Sequence, residues 1–271
     1  MAITLVDVPS GAKIAVADSG GTGVPLVFSH GYMMNHTMFD RQVEYFKSRR
    51  RCIAWDARGH GQTEWEGDFN YWDSARDLIG LLDALGIDKC VHVGMSQGGI
   101  VGMRAALLAP ERFYGIVQLS TQAGPVPDSG DDTFARTMAD WAANGADQAK
   151  VEFLASFILG PGADHEYWHK AWFGMSKAQV RDATGCLMSI DALFDRLHEV
   201  KVPVATIHGL ADIATSHELG LMTPLGVPDP RGVTLIPGGP HAVNITHPRR
   251  VNMAIEDFLD ELTEEHPGME G

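Results

Sequence analysis

Apolar positions along this 271-residue chain fall into two periods. Short runs rich in Val, Ile and Ala, closed off by Gly, Pro or Asp, predict strands at residues 3–8, 13–18, 25–29, 52–56, 90–94, 115–120, 204–208 and 234–237. Between them, apolar residues spaced three and four apart predict helices at 38–49, 73–85, 98–109, 217–221 and 249–262. Strand and helix in alternation point to an α/β fold, a mostly parallel, eight-stranded sheet with helices on both faces. The first two strands have no helix between them, which predicts an antiparallel edge.

The alternation stops between residues 122 and 200. That stretch offers helical patterns at 133–143, 148–158, 164–173 and 177–199, punctuated by Gly124-Pro125 and Gly160-Pro161-Gly162. It reads as a helical cap, residues 122–200, inserted into a sheet domain made of 1–121 and 201–271 and lying over the carboxyl ends of its strands. Gly20-Gly21-Thr22-Gly23 precedes a strand and lacks a P-loop lysine, so it reads as a turn. The tail, 263–271, is polar with Pro and Gly and is expected to fray.

Composition narrows the function. A net charge of −14 and a pI near 5.2 oppose a nucleic-acid or anionic-membrane surface, because both require clustered Lys and Arg. Cys52, Cys90 and Cys186 cannot all pair with one another, and they read as buried thiols in a reducing compartment. With no basic, apolar leader and no run long enough for a membrane span, the expected location is cytoplasmic. The expected partner is a small-molecule substrate, with a homo-oligomer left open.

Chemistry concentrates at Gly94-Met95-Ser96-Gln97-Gly98. A serine on a tight strand-to-helix turn has a strained backbone, and only small residues two places to either side leave room for it. A serine hydroxyl is a weak nucleophile unless a base takes its proton and an acid orients that base. Two later strands end in suitable residues: His208-Gly209-Leu210-Ala211-Asp212 follows one, and Gly238-Gly239-Pro240-His241 the other. Both emerge where parallel strands end, the edge at which open α/β sheets bind ligands. The order Ser, Asp, His suits the elbow. In this reading Ser96 attacks an acyl carbon, His241 takes and returns the proton, and Asp212 fixes the His241 tautomer. The oxyanion hole would be the backbone N–H groups of Gln97 and Tyr32. Taken singly, a loop Asp is often only a cap, and a lone His by a turn is usually structural.

Phe28-Ser29-His30-Gly31, Asp56-Ala57-Arg58-Gly59-His60-Gly61, the serine elbow, His208–Asp212 and Gly239-Pro240-His241 together resemble the α/β-hydrolase superfamily over about residues 13–262. The resemblance implies the same triad, Ser96, Asp212 and His241, and the same oxyanion donors, Tyr32 and Gln97. It implies a structural role for the Asp56–Gly61 turn, with Arg58 and His60 as scaffold. Serine at the elbow separates the chain from haloalkane dehalogenases and epoxide hydrolases, which resemble this fold but carry Asp there. Gln97 stands where related esterases and ring-cleavage hydrolases commonly have Met.

His165-Glu166-Tyr167-Trp168-His169 matches H-E-x-x-H, a zinc motif when a third ligand is near. None is placed nearby in sequence, and an ordinary cap helix is the favoured reading, with no metal. Met33, Met34, Trp141 and Trp168 are candidates to line an apolar substrate pocket, and packing of the cap is the competing account. The reading as a whole is a cofactor-free serine hydrolase, an esterase or lactonase, for a small, fairly apolar substrate. Carbon–carbon hydrolysis of ring-cleavage diketones, a cofactor-free dioxygenase and a non-catalytic ligand receptor are the alternatives.

Overall fold

The computed structural model describes residues 1–125, 130–161 and 163–269. In chain order its elements are β1 (Ile3–Asp7), β2 (Lys13–Asp18), β3 (Leu26–Ser29), α1 (Asp40–Phe46), β4 (Cys52–Trp55), α2 (Tyr71–Ala84), β5 (Cys90–Met95), α3 (Gln97–Leu108) and β6 (Phe113–Leu119). Helices α4 (Thr133–Asn144), α5 (Gln148–Ile158), α6 (His165–Phe173) and α7 (Lys177–Met188) follow. The chain then runs through β7 (Val204–Gly209), α8 (His217–Gly220), α9 (Met222–Gly226), β8 (Pro230–Ile236), α10 (Val243–Thr246) and α11 (Pro248–Glu265).

The strands form one eight-stranded sheet in the order β1-β2-β4-β3-β5-β6-β7-β8. The hairpin β1–β2 is antiparallel and joins β4 antiparallel; every pairing from β4 to β8 is parallel. The strands that read as continuous apolar runs are buried on both faces, as parallel strands should be. Successive residues go to opposite sides: Leu26 and Phe28 join α1 and α11 in one core, and Val27 joins α2 and α3 in the other. Among the described residues no helix is long and apolar enough to cross a membrane.

Three segments depart from the periodicity. The pattern over 38–49 is a 3-10 turn, His36–Phe39, followed by α1, because the Asn35 side chain accepts the Thr37 N–H and starts the turn early. The pattern over 177–199 is not one helix. It stops at Met188, where the Ser189 N–H closes onto Gly185 and Cys186 carbonyls, and resumes as a 3-10 turn at Phe194–Glu199. Between the two, the buried Arg104 holds the Asp191 carbonyl at 2.7 Å and its carboxylate at 2.6 Å, and the Leu193 N–H donates to Ala123 O at 2.6 Å. Strand β8 begins at Pro230, four residues before the alternation predicts, since an edge strand tolerates proline at its first position and Gly232 at φ 87°.

The expected fraying also fails through residue 269: α11 continues to Glu265, and Met269 is buried with its carbonyl 3.3 Å from Arg50 Nη1. Residues 270 and 271 and Gly162 of the Gly-Pro-Gly punctuation lie outside the described residues.

Helices α4 to α7 pack on the loops at the carboxyl ends of the strands. Trp172 Nε1–H donates to Met33 O at 2.7 Å, Thr184 Oγ1 meets the Tyr32 hydroxyl at 2.7 Å, and the Ala242 N–H donates to Ile158 O at 2.8 Å.

Candidate active site

Strand β5 turns into α3 at Ser96, whose φ of 50° and ψ of −117° are unusual for a residue with a side chain. The flanking glycines are forced by space. A Cβ on Gly94 would stand 2.4 Å from the Gly98 carbonyl carbon, and one on Gly98 would stand 2.0 Å from Ser29 O. The strained turn is held from both sides: Ser96 N–H donates to Leu119 O at 2.9 Å, and Ser96 O accepts Thr121 Oγ1–H at 2.7 Å. The hydroxyl side is left half-buried, at the edge where the parallel strands end.

Asp212 and His241 meet at that edge. His241 Nδ1 lies 2.8 Å from Asp212 Oδ2, while Asp212 Oδ1 accepts the N–H groups of Ala214 and Thr215, each at 2.9 Å. Burial alone would raise the Asp212 carboxyl. The neighbouring His241, the N–H groups of His208 and His241, and the Thr215 amide outweigh it and hold the group well below the ordinary carboxylate range. The two loops touch through glycine: a Cβ on Gly209 would stand 2.2 Å from Gly239 O. Among the described residues no hydrogen bond joins Ser96 to His241. Both residues follow strands that end at the same edge of the sheet, and a nucleophile–base hydrogen bond commonly tightens only around substrate.

The loop after β3 lies against Ser96, since a Cβ on Gly31 would stand 3.7 Å from Ser96 Cβ and 3.8 Å from Met34 Cγ. Three of its amides are engaged: Gly31 N–H with Met38 Sδ, Met33 N–H with His60 Nε2 at 3.0 Å, and Met34 N–H with Gly31 O. Among the described residues no acceptor takes the Tyr32 N–H. The Tyr32 ring packs against Phe134, centroids 6.0 Å apart, and burial pushes its phenol above the ordinary value. The Gln97 side chain is buried, 3.4 Å from the Tyr71 hydroxyl and 3.5 Å from His60 Nε2.

His60 therefore does more than fill a turn. It accepts the Met33 N–H on Nε2, so its proton sits on Nδ1, which donates to Arg58 O at 2.8 Å. Burial and the neighbouring His30 push it down to about 3, which keeps Nε2 free to accept. Met33, at φ 60°, is the residue this bond pins. Arg58 pairs with the buried Asp77.

Met33, Met34, Trp141 and Trp168 are at most 3% exposed, inside the core that joins the helical segment to the sheet. Phe134, Phe153 and Phe157 of that segment are half-buried and in ring contact with one another at 4.9 to 6.4 Å. His165 opens α6 with Nε2 bonded to Gly160 O, and the His169 ring stacks on Trp172. Among the described residues no group of three or more His, Cys, Asp or Glu gathers to hold a metal.

Comparison with known proteins bears on the family and the fold. The chain is 27% identical to a non-heme chloroperoxidase from Streptomyces lividans, over 94% of this chain and 98% of that protein. It is also 27% identical to a 3-oxoadipate enol-lactonase from Acinetobacter baylyi, over 76% and 78% of the two chains. Among solved structures, a thermophilic esterase from Thermogutta terrifontis superposes with a TM-score of 0.86 at 23% identity, covering 97% of this chain and 99% of that one. The model of the alpha/beta hydrolase fold matches residues 24–248, from just before β3 to the first residue of α11, and the chain belongs to that family.

Proposed function

We propose that this chain is a serine hydrolase that cleaves a small, fairly apolar carboxylic ester or lactone through an acyl-enzyme intermediate. The observation that carries the reading is the strained Ser96 at the same strand-end edge as a hydrogen-bonded Asp212–His241 pair. Ser96 Oγ adds to the carbonyl as His241 takes its proton, and Asp212 stabilises the imidazolium. The Tyr32 and Gln97 N–H groups receive the oxyanion. His241 then protonates the leaving alkoxide, and water attacks the acyl-enzyme by the same route. Relatives named as an enol-lactonase and an esterase support this substrate class.

Residues 122–200 act in this proposal as a cap. Its half-buried Phe134, Phe153 and Phe157, with Tyr32, form the apolar wall that receives the acyl or alkyl group. Intact-mass analysis after fluorophosphonate treatment is the direct test. A single adduct mapping to Ser96 is expected, and Ser96→Ala should lower kcat on p-nitrophenyl acetate by about 10⁴-fold or more. Folded wild-type protein with no adduct, or a fully active Ser96→Ala variant, removes the proposal.

A further inference from the structure

The carboxylate of Asp212 faces a second imidazole that this reaction does not use. His208, on β7, is fully buried, with Nε2 2.9 Å from Thr215 O and 3.2 Å from Asp212 Oδ2. A carbonyl oxygen only accepts, so the ring proton is on Nε2, shared between carbonyl and carboxylate. The opposite nitrogen, Nδ1, is buried and has no hydrogen-bond partner among the described residues. It is pressed against α8, where a Cβ on Gly220 would stand 2.3 Å from it. The packing thus selects one tautomer and points its N–H at the oxygen that His241 also binds.

The surroundings are polar in a way that packing does not require. Among the described residues, Gln118 Oε1, Ser120 Oγ, Thr206 Oγ1 and Thr223 Oγ1, like His208 Nδ1, are buried without hydrogen-bond partners. Gln118 and Thr206 are neighbours in the β6–β7 register, and the Ser120 N–H donates to Ile207 O. Unpartnered polar atoms carry a desolvation cost that apolar residues would avoid.

We infer that His208 is a positioning residue of the hydrolytic site: its Nε2–H orients the Asp212 carboxylate and shares the charge of Oδ2, setting how strongly Asp212 holds His241. The inference rests on the Ser96–His241–Asp212 reading above. The titratable groups around the pair are His241 and Asp212 from the loops after β8 and β7, and His217 and Glu218 from α8, which pair with each other at 3.4 Å. Without the His208 donor, Oδ2 becomes the stronger base and grips protonated His241 more tightly.

The test is the pH dependence of kcat and kcat/KM on p-nitrophenyl acetate for His208→Phe, His208→Gln and Gly220→Ala. His208→Phe should lower kcat by about 10²-fold with KM nearly unchanged. It should also move the acid limb of kcat/KM up by about one pH unit. His208→Gln, whose amide N–H reaches the same place, should restore most of both. Gly220→Ala keeps His208 but displaces its ring, and should behave like His208→Phe; it decides the matter if His208→Phe fails to fold. Acid limbs that superimpose on wild type in the folded variants, with kcat falling only as the folded fraction falls, would overturn the inference. Wild-type protein that takes no fluorophosphonate on Ser96 fails the hydrolase reading itself, whereas normal labelling with unmoved limbs fails His208 alone.

Discussion

Ser96 is held in a backbone conformation that costs of the order of 1–3 kcal/mol, and its neighbours leave no alternative. Gly98 shows this most directly. A methyl there would meet Ser29 O and C, which are backbone atoms of a central strand and cannot swing aside. Gly98→Ala should therefore lose about 2 kcal/mol or more of stability together with its activity, measured as a shift in urea midpoint and in esterase rate. Asp212→Asn should instead keep the fold and lose about 10⁴-fold in kcat, because the amide presents the wrong partner to His241 Nδ1. The proposed Ser96, Asp212 and His241 can be singled out in the sequence because each follows a recognisable strand. His60, Thr121 and His208 are not. Their partners, Met33, Ser96 and the Asp212 carboxylate, are fixed by tertiary approach, and a histidine in an apolar strand looks like any buried residue.

Helix α3 has a glycine face. Gly98, Gly99 and Gly102 let it lie close to the sheet, and a Cβ on Gly102 would stand 2.4 Å from His92 Cε1 and Nδ1. Alanine in an open helix would gain about 1 kcal/mol over glycine. Gly102→Ala should nonetheless destabilise, because the imidazole it meets is buried between β5 and the helix; equilibrium denaturation gives the sign. Element positions followed well from periodicity where the helix or strand is set by its own residues, as in α2 and α5. They failed where a distant group decides the end. The break after α7 depends on Arg104 and Ala123, and the early start of β8 depends on its edge position. Neither appears in any local window of sequence.

The two-sided core makes the whole molecule sensitive to acid. His60 and His92 are buried, and burial pushes both down to about 3. In the unfolded chain each binds a proton below about pH 6.5, but in the folded protein it stays unprotonated until far lower pH. Stability is therefore complete above pH 6.5 and falls as the pH drops toward 3, by up to about 1.4 kcal/mol per pH unit for each histidine. Urea midpoints from pH 8 to pH 4 should trace that slope, and His92→Gln should flatten it by one proton; an unchanged slope would remove His92 from the account. The sheet and its alternation were legible at this scale, because apolar runs of strand length leave few other folds. How helices α4 to α7 sit on the sheet was not, since that depends on contacts such as Trp172 with Met33. The chain leaves the sheet after β6 and returns at the adjacent β7, and at the base of the excursion Ala123 and Leu193 stand one hydrogen bond apart. The sheet thus holds its helical segment as a socket holds an exchangeable head. A graft between those two residues would begin and end side by side, and to seat it would have to refill the core that Trp141, Trp168 and Trp172 share with Met33 and Met34.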